Sequence, residues 1–479
     1  MTLTSRLRSR FDFSKRQLFT FTVFIVLASL DNAAAGVLPP LYAIISRELN
    51  ANEAALGLVT AVYFIIVAIS AAFCGYRGDQ KRRKPLLFYG TLIWVTAMLL
   101  TGLAQNYAQF LFLQMVTAVG VGGIASIGFS VISDIVPVAR RGLALSLWGI
   151  SQGTGGLAGA LLAGTLGAYN WRYPFFAIAA AGLLFAILYL FTQEPQRGQS
   201  EPELAPVFAT GQSYTYRINH HDLKQIFRQP STRWLLLQSF FFSLAYGSIL
   251  WVPRWAIARV QAEGYDLQTA TIVGNLFIAL FSIGALFSIF TGHIGDWWVK
   301  RNPRGRAYVA MIGLFASIPF FTLLYFTPLH GVAIPADGNL LRIGWAVFIS
   351  LFTNHWVLLA FFLALAAQSL QAADPPNWAA MITDANLPEH RGTIVGASRL
   401  FRALGSALSV AAAGWLIVHL NTPAPDNYAI TLALFQVVVI PAGICYYRVS
   451  QTIADDVATA KSTLARRALN NPQLIIDNG

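Results

Sequence analysis

Four ionisable side chains interrupt long apolar stretches of this sequence: Asp31, Asp374, Arg399 and Arg402. A charged side chain is costly inside a lipid bilayer, so such residues usually face a water-filled cavity or an opposite charge. An isolated carboxyl group in apolar surroundings also binds a proton more readily than it does in water. We therefore expect Asp31 to exchange a proton or to hold a cationic ligand, with a structural hydrogen bond as the alternative role.

The other three charges lie near a proline pair in the last third of the sequence. Asp374 precedes Pro375 and Pro376 in "ADPPNW", and Arg402 lies about 15 Å into the next predicted helix at 1.5 Å per residue. We expect Asp374 and Arg402 to meet on adjacent helices, either as a static structural pair or as a clamp for an anionic substrate. Arg399 lies one turn nearer the start of that helix, where a long side chain reaches the membrane surface.

Amide side chains in other apolar stretches are candidates to line the same polar cavity. Each is alternatively a contact between helices, because amides commonly join helices within membranes. These candidates are Gln114, Gln152, Gln238 and Asn275. The two cysteines and seven histidines show no metal-ligand spacing, and no nucleotide-binding G-x-x-x-x-G-K-[ST] loop occurs. We therefore expect no metal, no cofactor and no enzyme activity.

Transmembrane helices must position these groups. The chain is 56% hydrophobic and 11% charged, whereas about a quarter of the residues of a soluble protein are charged. About 20 apolar residues cross a bilayer as a helix, but only about 9–11 as a barrel strand. The apolar stretches are too long for strands. The sequence predicts an all-α integral membrane protein with twelve spans, at 18–42, 54–76, 85–104, 109–133, 142–165, 171–191, 233–253, 271–294, 307–327, 356–383, 393–419 and 428–448.

One further apolar stretch, "LRIGWAVFISLF" (341–352), is too short to cross the bilayer and precedes the polar pair Asn354 and His355. We expect an interfacial or a re-entrant segment there, because twelve spans already account for the other apolar stretches.

The net charge is +12, and the positively charged residues are distributed according to the predicted topology. If the chain crosses at every predicted helix, the great majority of its lysines and arginines fall on the side of the N-terminus. Cytoplasmic loops are enriched in these residues, so we expect both termini in the cytoplasm. Charge spread over a whole membrane face differs from the basic patch of a nucleic-acid-binding protein, and we expect no nucleic-acid partner.

Two sequence patterns indicate a duplicated chain. "GYRGD" (75–79) recurs as "GHIGD" (292–296), and "SDIVPVARRG" (133–142) recurs as "TDANLPEHRG" (383–392). Internal repeats are typical of secondary transporters. We expect pseudo-symmetric six-helix bundles at 1–191 and 233–448, a cytoplasmic linker at 192–232 and a cytoplasmic tail at 449–479.

The whole chain resembles the major facilitator superfamily. The resemblance rests on the glycine-rich "GISQGTGGLAGALLAG" (149–164), on "NWRYPFF" (170–176) and on a loop signature, approximately G-x-x-(A/G)-D-x-x-G-R-(K/R). In this sequence Arg82 stands where the signature usually has glycine. The resemblance implies the major facilitator fold, with alternating access of two bundles around a central cavity.

In the resembling family, the aspartate of this loop contacts the start of the eleventh helix when the cytoplasmic side is closed. The resemblance therefore implies a cytoplasmic gate, whereas charges that only fix the loops in the cytoplasm are the alternative. The gate residues would be Gly75, Gly78, Asp79, Arg83, Arg141, Asp296 and Arg391.

Further stretches are similar to Spinster-type lipid transporters: "DLKQIFRQPS" (222–231), "GSILWVPRW" (247–255), "GDWWVKRNPRGRAYV" (295–309) and "LDNAAAGVLPP" (30–40). The fourth predicted helix differs, with Gln114 and Val121 where those transporters have an arginine and an acid. The resemblance implies a monomeric secondary transporter of the bacterial inner (plasma) membrane, in contact with membrane lipids. It would move a small amphipathic or lipid-like solute, coupled to protons or to no ion. A drug or organic-anion proton antiporter of the same superfamily is the alternative, and a membrane enzyme or receptor is disfavoured.

Overall fold

A computed structural model of the chain describes residues 14–80, 82–128, 131–132, 135–136, 138–194, 227–335 and 339–470. Every regular element within these ranges is a helix. Ten helical segments are long and apolar enough to cross a membrane. The helices Tyr107–Gly123 and Val138–Tyr169 occupy the fourth and fifth predicted spans. The predicted all-α, twelve-helix class is therefore confirmed.

The chain divides into two compact units, one of residues 1–51 and 62–215 and one of residues 52–61 and 216–479. The bundle, linker and tail boundaries given above stay predictions, and most of the linker (195–226) lies outside the described residues. The N-terminal part of the chain forms α1 (Lys15–Gly36), α2 (Tyr42–Glu48), α3 (Glu53–Gln80), α4 (Arg83–Thr101), α5 (Tyr107–Gly123), α6 (Val138–Tyr169) and α7 (Arg172–Leu190).

The C-terminal part contains further helices, several of them interrupted within one span. They are α8 (Pro230–Tyr246), α9 (Val252–Gln261), α10 (Leu267–Phe281), α11 (Ser288–Val299), α12 (Gly305–Phe326), α13 (Leu340–Thr353), α14 (His355–Gln371), α15 (Asp374–Ala385), α16 (Pro388–His419), α17 (Asp426–Val437) and α18 (Val439–Asn470).

Proline pairs account for two of the interruptions. Pro39 and Pro40 lack the N–H that an α-helix needs, and a 3₁₀ turn (Pro39–Leu41) separates α1 from α2. Pro375 and Pro376 occupy the first turn of α15, which leaves two residues out of helix between α14 and α15. The break in the helix at the proline pair places Asp374 at the start of α15.

Close packing of α1 against α6 organises the first unit. A Cβ atom at Gly155 would lie 2.1 Å from the carbonyl oxygen of Ser29, and one at Gly159 would lie 2.2 Å from that of Ala33. Only glycine lets two helix backbones approach so closely, as in other helix contacts within membranes. The glycine-rich sequence of α6 thus determines which residues of α1 and α6 share a cavity.

In the second unit, α8 packs against α16 and α18, and α12 packs against α14 and α18. A Cβ atom at Gly405 of α16 would lie 2.4 Å from the carbonyl oxygen of Phe240 on α8. The close contact brings polar residues of α8 and α16 into one buried region. α18 continues as helix to Asn470, through much of the segment expected to be a tail.

Candidate functional site

Asp31 of α1 is buried in the first unit and borders a cavity of about 160 Å³. Among the residues that the structure describes, neither carboxylate oxygen has a hydrogen-bond partner, nor does the hydroxyl of Tyr63, which lines the same cavity. The adjacent Asn32 donates to the carbonyl oxygen of Ala28, at 2.8 Å, rather than to Asp31. Burying a polar group without a partner costs free energy, so the geometry favours a ligand or proton role over a structural hydrogen bond.

Of the two candidate glutamines in this unit, only one lies at the Asp31 cavity. Gln152 of α6 lines it, brought there by the close packing of α6 on α1. Gln114 is buried and donates to Thr101 Oγ1 at 3.5 Å, which joins α5 to α4. Gln114 therefore has the geometry of a contact between helices.

Asp374 is fully buried in the second unit and lies between α8 and α18. Its Oδ1 accepts hydrogen bonds from Gln238 Nε2 (2.6 Å) and from the hydroxyl of Tyr446 (2.5 Å). Its Oδ2 and the side-chain oxygen of Gln238 have no partner within the described part of the chain. The site thus combines two fixed donors with two acceptor atoms available to another group.

Arg402 lies close enough for its charge to act on Asp374, but it forms no direct ion pair with that carboxylate in the described ranges. Instead its guanidinium lies 4.9 Å from the ring centre of Trp378 and 5.8 Å from that of Phe242. Aromatic faces attract a cation by about 0.5–2 kcal/mol. The expected direct Asp374–Arg402 pair is replaced by a cation held against two aromatic rings beside a buried acid.

Asn275 does not join that cluster through any described contact, whereas the charge of Arg399 acts on that of Arg402. Asn275 is buried on α10 and donates to the carbonyl oxygen of Thr271 one turn earlier, at 2.8 Å. Arg399 is exposed on α16, one turn before Arg402. The side-chain amide of Asn275 thus bonds within its own helix. Arg399 has the exposure expected of a residue near the membrane surface.

The three cations that end the loop signature (75–84) contact the end of α7 and the residues that follow it. The carboxylate of Glu194 accepts the backbone N–H of Arg83 at 2.6 Å and lies 3.6 Å from Arg82 Nε. Lys84 Nζ donates to the carbonyl oxygens of Leu190 and Thr192, at 2.7 Å each. These contacts fix the start of α4 to the end of α7 within the first unit.

In the second unit, Arg306 pairs with both acids of the repeated motifs. Its Nη2 lies 2.7 Å from Asp296 Oδ1, and its Nη1 contacts Asp384. One arginine thus joins the ends of α11 and α15 to the start of α12.

The predicted gate is only partly within the described residues. Gly75 lies in α3, and Arg83 and Asp296 make the contacts given above. Gly78 also lies in α3, whereas the side chains of Asp79, Arg141 and Arg391 lie outside the part that the structure describes. The gate therefore stays a prediction.

Several residues at these sites carry no distinctive sequence signal. Tyr63, Tyr446 and Trp378 are aromatic residues in apolar helices, where such residues are common. Arg306 stands among other loop cations, and its spacing of ten residues from Asp296 is the only available signal. Only a packed structure identifies which of these side chains lie next to a buried acid or a buried cation.

A further ion cluster in the second unit includes the first residue of α3. Glu53 Oε1 lies 2.9 Å from Arg254 Nε and 2.6 Å from the hydroxyl of Tyr428. The guanidinium of Arg254 also lies 5.1 Å from the ring centre of Tyr428. These contacts explain why residues 52–61 group with the second unit.

Comparison with known proteins places these features in context. The model of the Major Facilitator Superfamily matches residues 21–336. The chain is 27% identical over 335 residues to the protein spinster homolog 1 of Xenopus laevis, a match that covers 65% of this chain and 61% of that protein's length. It is 27% identical over 316 residues to a probable sulfoacetate transporter of Cupriavidus necator, covering 63% of this chain and 70% of that one.

Solved structures agree on the fold. The crystal structure of a bacterial homolog of the human lysosomal transporter Spinster superposes with a TM-score of 0.69 at 19% identity. The superposition covers 93% of this chain and 99% of the other. At this identity the likeness concerns the fold alone.

Proposed function

The chain belongs to the Major Facilitator Superfamily of membrane transporters, and we propose that it moves an amphipathic or lipid-like organic solute by alternating access, coupled to protons through Asp31. One observation carries the coupling: Asp31 is a buried acid with no hydrogen-bond partner among the described residues, beside a cavity. Since an ionised carboxylate is costly in such surroundings, proton binding there depends on whether water reaches the cavity. Alternating access would change that exposure during transport.

Contacts in the second unit support the proposed substrate class. Arg402 provides a positive charge against Trp378 and Phe242, and the unpartnered Oδ2 of Asp374 provides a nearby acceptor. A cation beside aromatic surfaces suits a solute that carries an anionic head group on an apolar body. A sugar would need more neutral hydrogen-bonding groups than this cluster offers.

An organic-anion or drug proton antiporter is the second candidate. It is favoured by the likeness to the probable sulfoacetate transporter, whose named substrate is a small anion, and by the same Arg402 charge. The likeness to the spinster homolog supports the lipid-like solute instead. In both cases we propose a monomer in the bacterial inner membrane, surrounded by its lipids and with both termini in the cytoplasm.

Proton coupling is tested in liposomes that contain the purified protein and a pH-sensitive dye. We expect Asp31→Asn to abolish both pH-gradient-driven solute movement and solute-induced proton flux, while exchange of solute without a gradient persists. Asp455→Asn, which removes an exposed acid of α18, is the matched control and should behave as wild type. Undiminished gradient-driven transport by Asp31→Asn would refute the proton role.

The substrate class is tested by thermal-shift measurements on the purified protein with lysolipids, alkyl sulfonates, small sulfonates, cationic drugs and sugars. We expect stabilisation by anions that carry a long apolar chain, and its loss in Arg402→Gln. Stabilisation by sulfoacetate alone, without a chain-length effect, would favour the small organic anion. A response confined to sugars would contradict both candidates.

A further inference from the structure

Helix α13 is a separate helix that is too short to cross a membrane. Its 14 residues extend about 21 Å, whereas the hydrocarbon core is about 30 Å thick. Asn339 caps its first turn by accepting the N–H groups of Leu341 and Arg342. Asn354 ends it and caps α14, whose first N–H groups bond to its side-chain oxygen. α13 therefore does not continue into the span that follows.

Two opposite sides of α13 are apolar, and only one of them is covered. Ile343, Val347 and Leu351 are buried, and the helix packs against α10 and α14. The other side carries an apolar stripe, Leu341, Trp345, Phe348 and Phe352, with exposures of 86%, 65%, 42% and 72%. Spacings of four, three and four residues place these side chains on one face of the helix.

A cavity of about 570 Å³ lies between α13 and the segment 331–335. Leu341 and Trp345 of the apolar stripe border it, and Ala346 and Ile349 form part of its wall, so it opens at the edge of the stripe. Its volume is typical of a small-molecule site. Arg342, in the first turn of α13, is the charged residue among the described residues that line it.

We propose that α13 lies in the plane of the membrane at the lipid–water interface, and that its cavity binds an acyl chain of a membrane phospholipid whose phosphate contacts Arg342. The position is imposed by the chain, because only Asn354 separates α13 from α14, which begins a candidate membrane span. An amphipathic helix at such a boundary buries its apolar face among acyl chains, and tryptophan favours the same depth. A cation near the surface attracts an anionic head group.

The orientation of α13 separates this proposal from a re-entrant segment. Leu341 and Phe352 lie eleven residues apart, which is about 16 Å along the helix. A helix in the membrane plane holds the whole stripe at one depth, whereas a re-entrant helix spreads it over most of that distance. Depth along the stripe is therefore the decisive measurement.

The placement is tested with nitroxide labels on Leu341→Cys, Phe348→Cys and Phe352→Cys in a background with Cys74→Ser and Cys445→Ala. Collision rates with oxygen, which concentrates in lipid, and with a water-soluble nickel chelate report depth in liposomes. Arg301→Cys, in an exposed loop, is the aqueous reference, and Leu323→Cys, exposed on the spanning α12, is the lipid reference.

We expect all three stripe labels to favour oxygen over nickel and to agree in depth within about one helical turn, about 5 Å. A graded depth along the stripe would show a re-entrant helix and overturn the in-plane placement. Ready access of the nickel chelate would place the stripe in water, and poor access of both reagents would indicate a protein partner. Either result would also refute the proposal.

The lipid site is tested by native mass spectrometry of delipidated protein titrated with phosphatidylglycerol. We expect Ala346→Trp, which fills the cavity, to remove one bound lipid. Arg342→Gln should weaken the binding of that lipid about fivefold, since one cation near a membrane surface contributes about 1 kcal/mol. Arg301→Gln, the loss of an exposed cation in another loop, should change nothing. Unchanged binding in Ala346→Trp, or displacement of the lipid by inorganic phosphate, would refute the acyl-chain site.

This proposal does not depend on the transported solute. Asp31, Asp374 and Arg402 are intact in all the variants that test the placement of α13 and its lipid site. Proton coupling and solute-induced stabilisation should therefore stay at the wild-type level in those variants. Failure of the lipid measurements would leave the proposed function standing, and failure of the Asp31→Asn test would leave the lipid site standing.

Discussion

Two neighbouring glycines of α6 give opposite predictions for the same substitution. A Cβ atom at Gly155 would lie 2.1 Å from the carbonyl oxygen of Ser29, 2.7 Å from its carbonyl carbon and 2.7 Å from its Cα. At Gly153, two residues earlier, nothing lies within 4 Å of the added atom. Alanine at Gly155 must therefore move backbone atoms of α1, whereas alanine at Gly153 enters open space.

The magnitudes follow from the contact distances. Weak carbon–oxygen contacts have a typical separation of about 3.3–3.6 Å, so α1 and α6 must separate by about 1 Å at Gly155. Overpacking of this kind costs about 1–3 kcal/mol, partly offset by the 0.5–1 kcal/mol that alanine gains over glycine within a helix. Gly153→Ala has no overpacking cost and shows only the gain of about 0.5–1 kcal/mol that alanine has over glycine within a helix. We expect the first variant to be destabilised and the second to be stabilised slightly. Because the gain is common to both, they should differ by the overpacking cost alone, about 1–3 kcal/mol.

Thermal unfolding of the purified protein, followed by tryptophan fluorescence, measures the difference. A shift of about 2–4 °C per kcal/mol is expected for a unit of this size. Because Gln152 and Asp31 share a cavity across the same helix contact, Gly155→Ala should also reduce proton-coupled transport, whereas Gly153→Ala should not. Equal midpoints for the two variants would refute the close approach of α1 and α6.

Two further variants test local contacts. Tyr446→Phe removes a hydrogen bond to the buried Asp374 and should destabilise the protein by about 1.5–3 kcal/mol in thermal unfolding, while Tyr447→Phe at the exposed neighbouring position should be neutral. Hydrogen bonds, first among them that from the Thr269 side chain, hold the pKa of Asp266 below its ordinary value. The ionised Asp266 side chain therefore contributes its full stabilisation above the pKa of the unfolded state. This stabilisation is lost as the pH falls through the lower pKa of the folded state. Asp266→Asn, which keeps a helix-capping side chain but does not titrate, should therefore lose less stability than wild type between about pH 5 and pH 3, and identical acid profiles would contradict this role.

The positions of the helices follow from the sequence because membrane burial imposes long apolar stretches. Every predicted span has a helix in the structure, and the break before α15 follows from Pro375 and Pro376, which cannot continue a helix. That the segment 341–352 is not a membrane span also follows from its length alone, since it is too short to cross the bilayer. What apolar length cannot predict is which helices pack together.

The partners of the buried charges depend on that packing. The sequence identifies Asp374 and Arg402 as costly residues, but Gln238, Tyr446 and Trp378 contact them from other helices. A tyrosine or tryptophan contributes equally to the hydropathy of an apolar helix whichever neighbour its side chain faces. The sequence therefore predicts that a buried charge has partners and offers Gln238 as a polar candidate, but it does not identify Tyr446 or Trp378.

The two buried acids differ in their hydrogen-bond partners, and we propose different tasks for them on that ground. Asp374 has two fixed donors on one oxygen and the charge of Arg402 nearby, and these offset part of the cost of burying its ionised form. Asp31 has neither a donor nor an ion pair within the described part of the chain. A proton that must bind and leave during each cycle suits the unsupported acid, because small changes in hydration then shift the balance between the neutral and ionised forms. The supported acid suits a permanent role in orienting Arg402 or a bound solute. A double variant that carries Asp31→Asn and Tyr446→Phe should accordingly show the coupling defect of the first change and the stability loss of the second, without interaction between them.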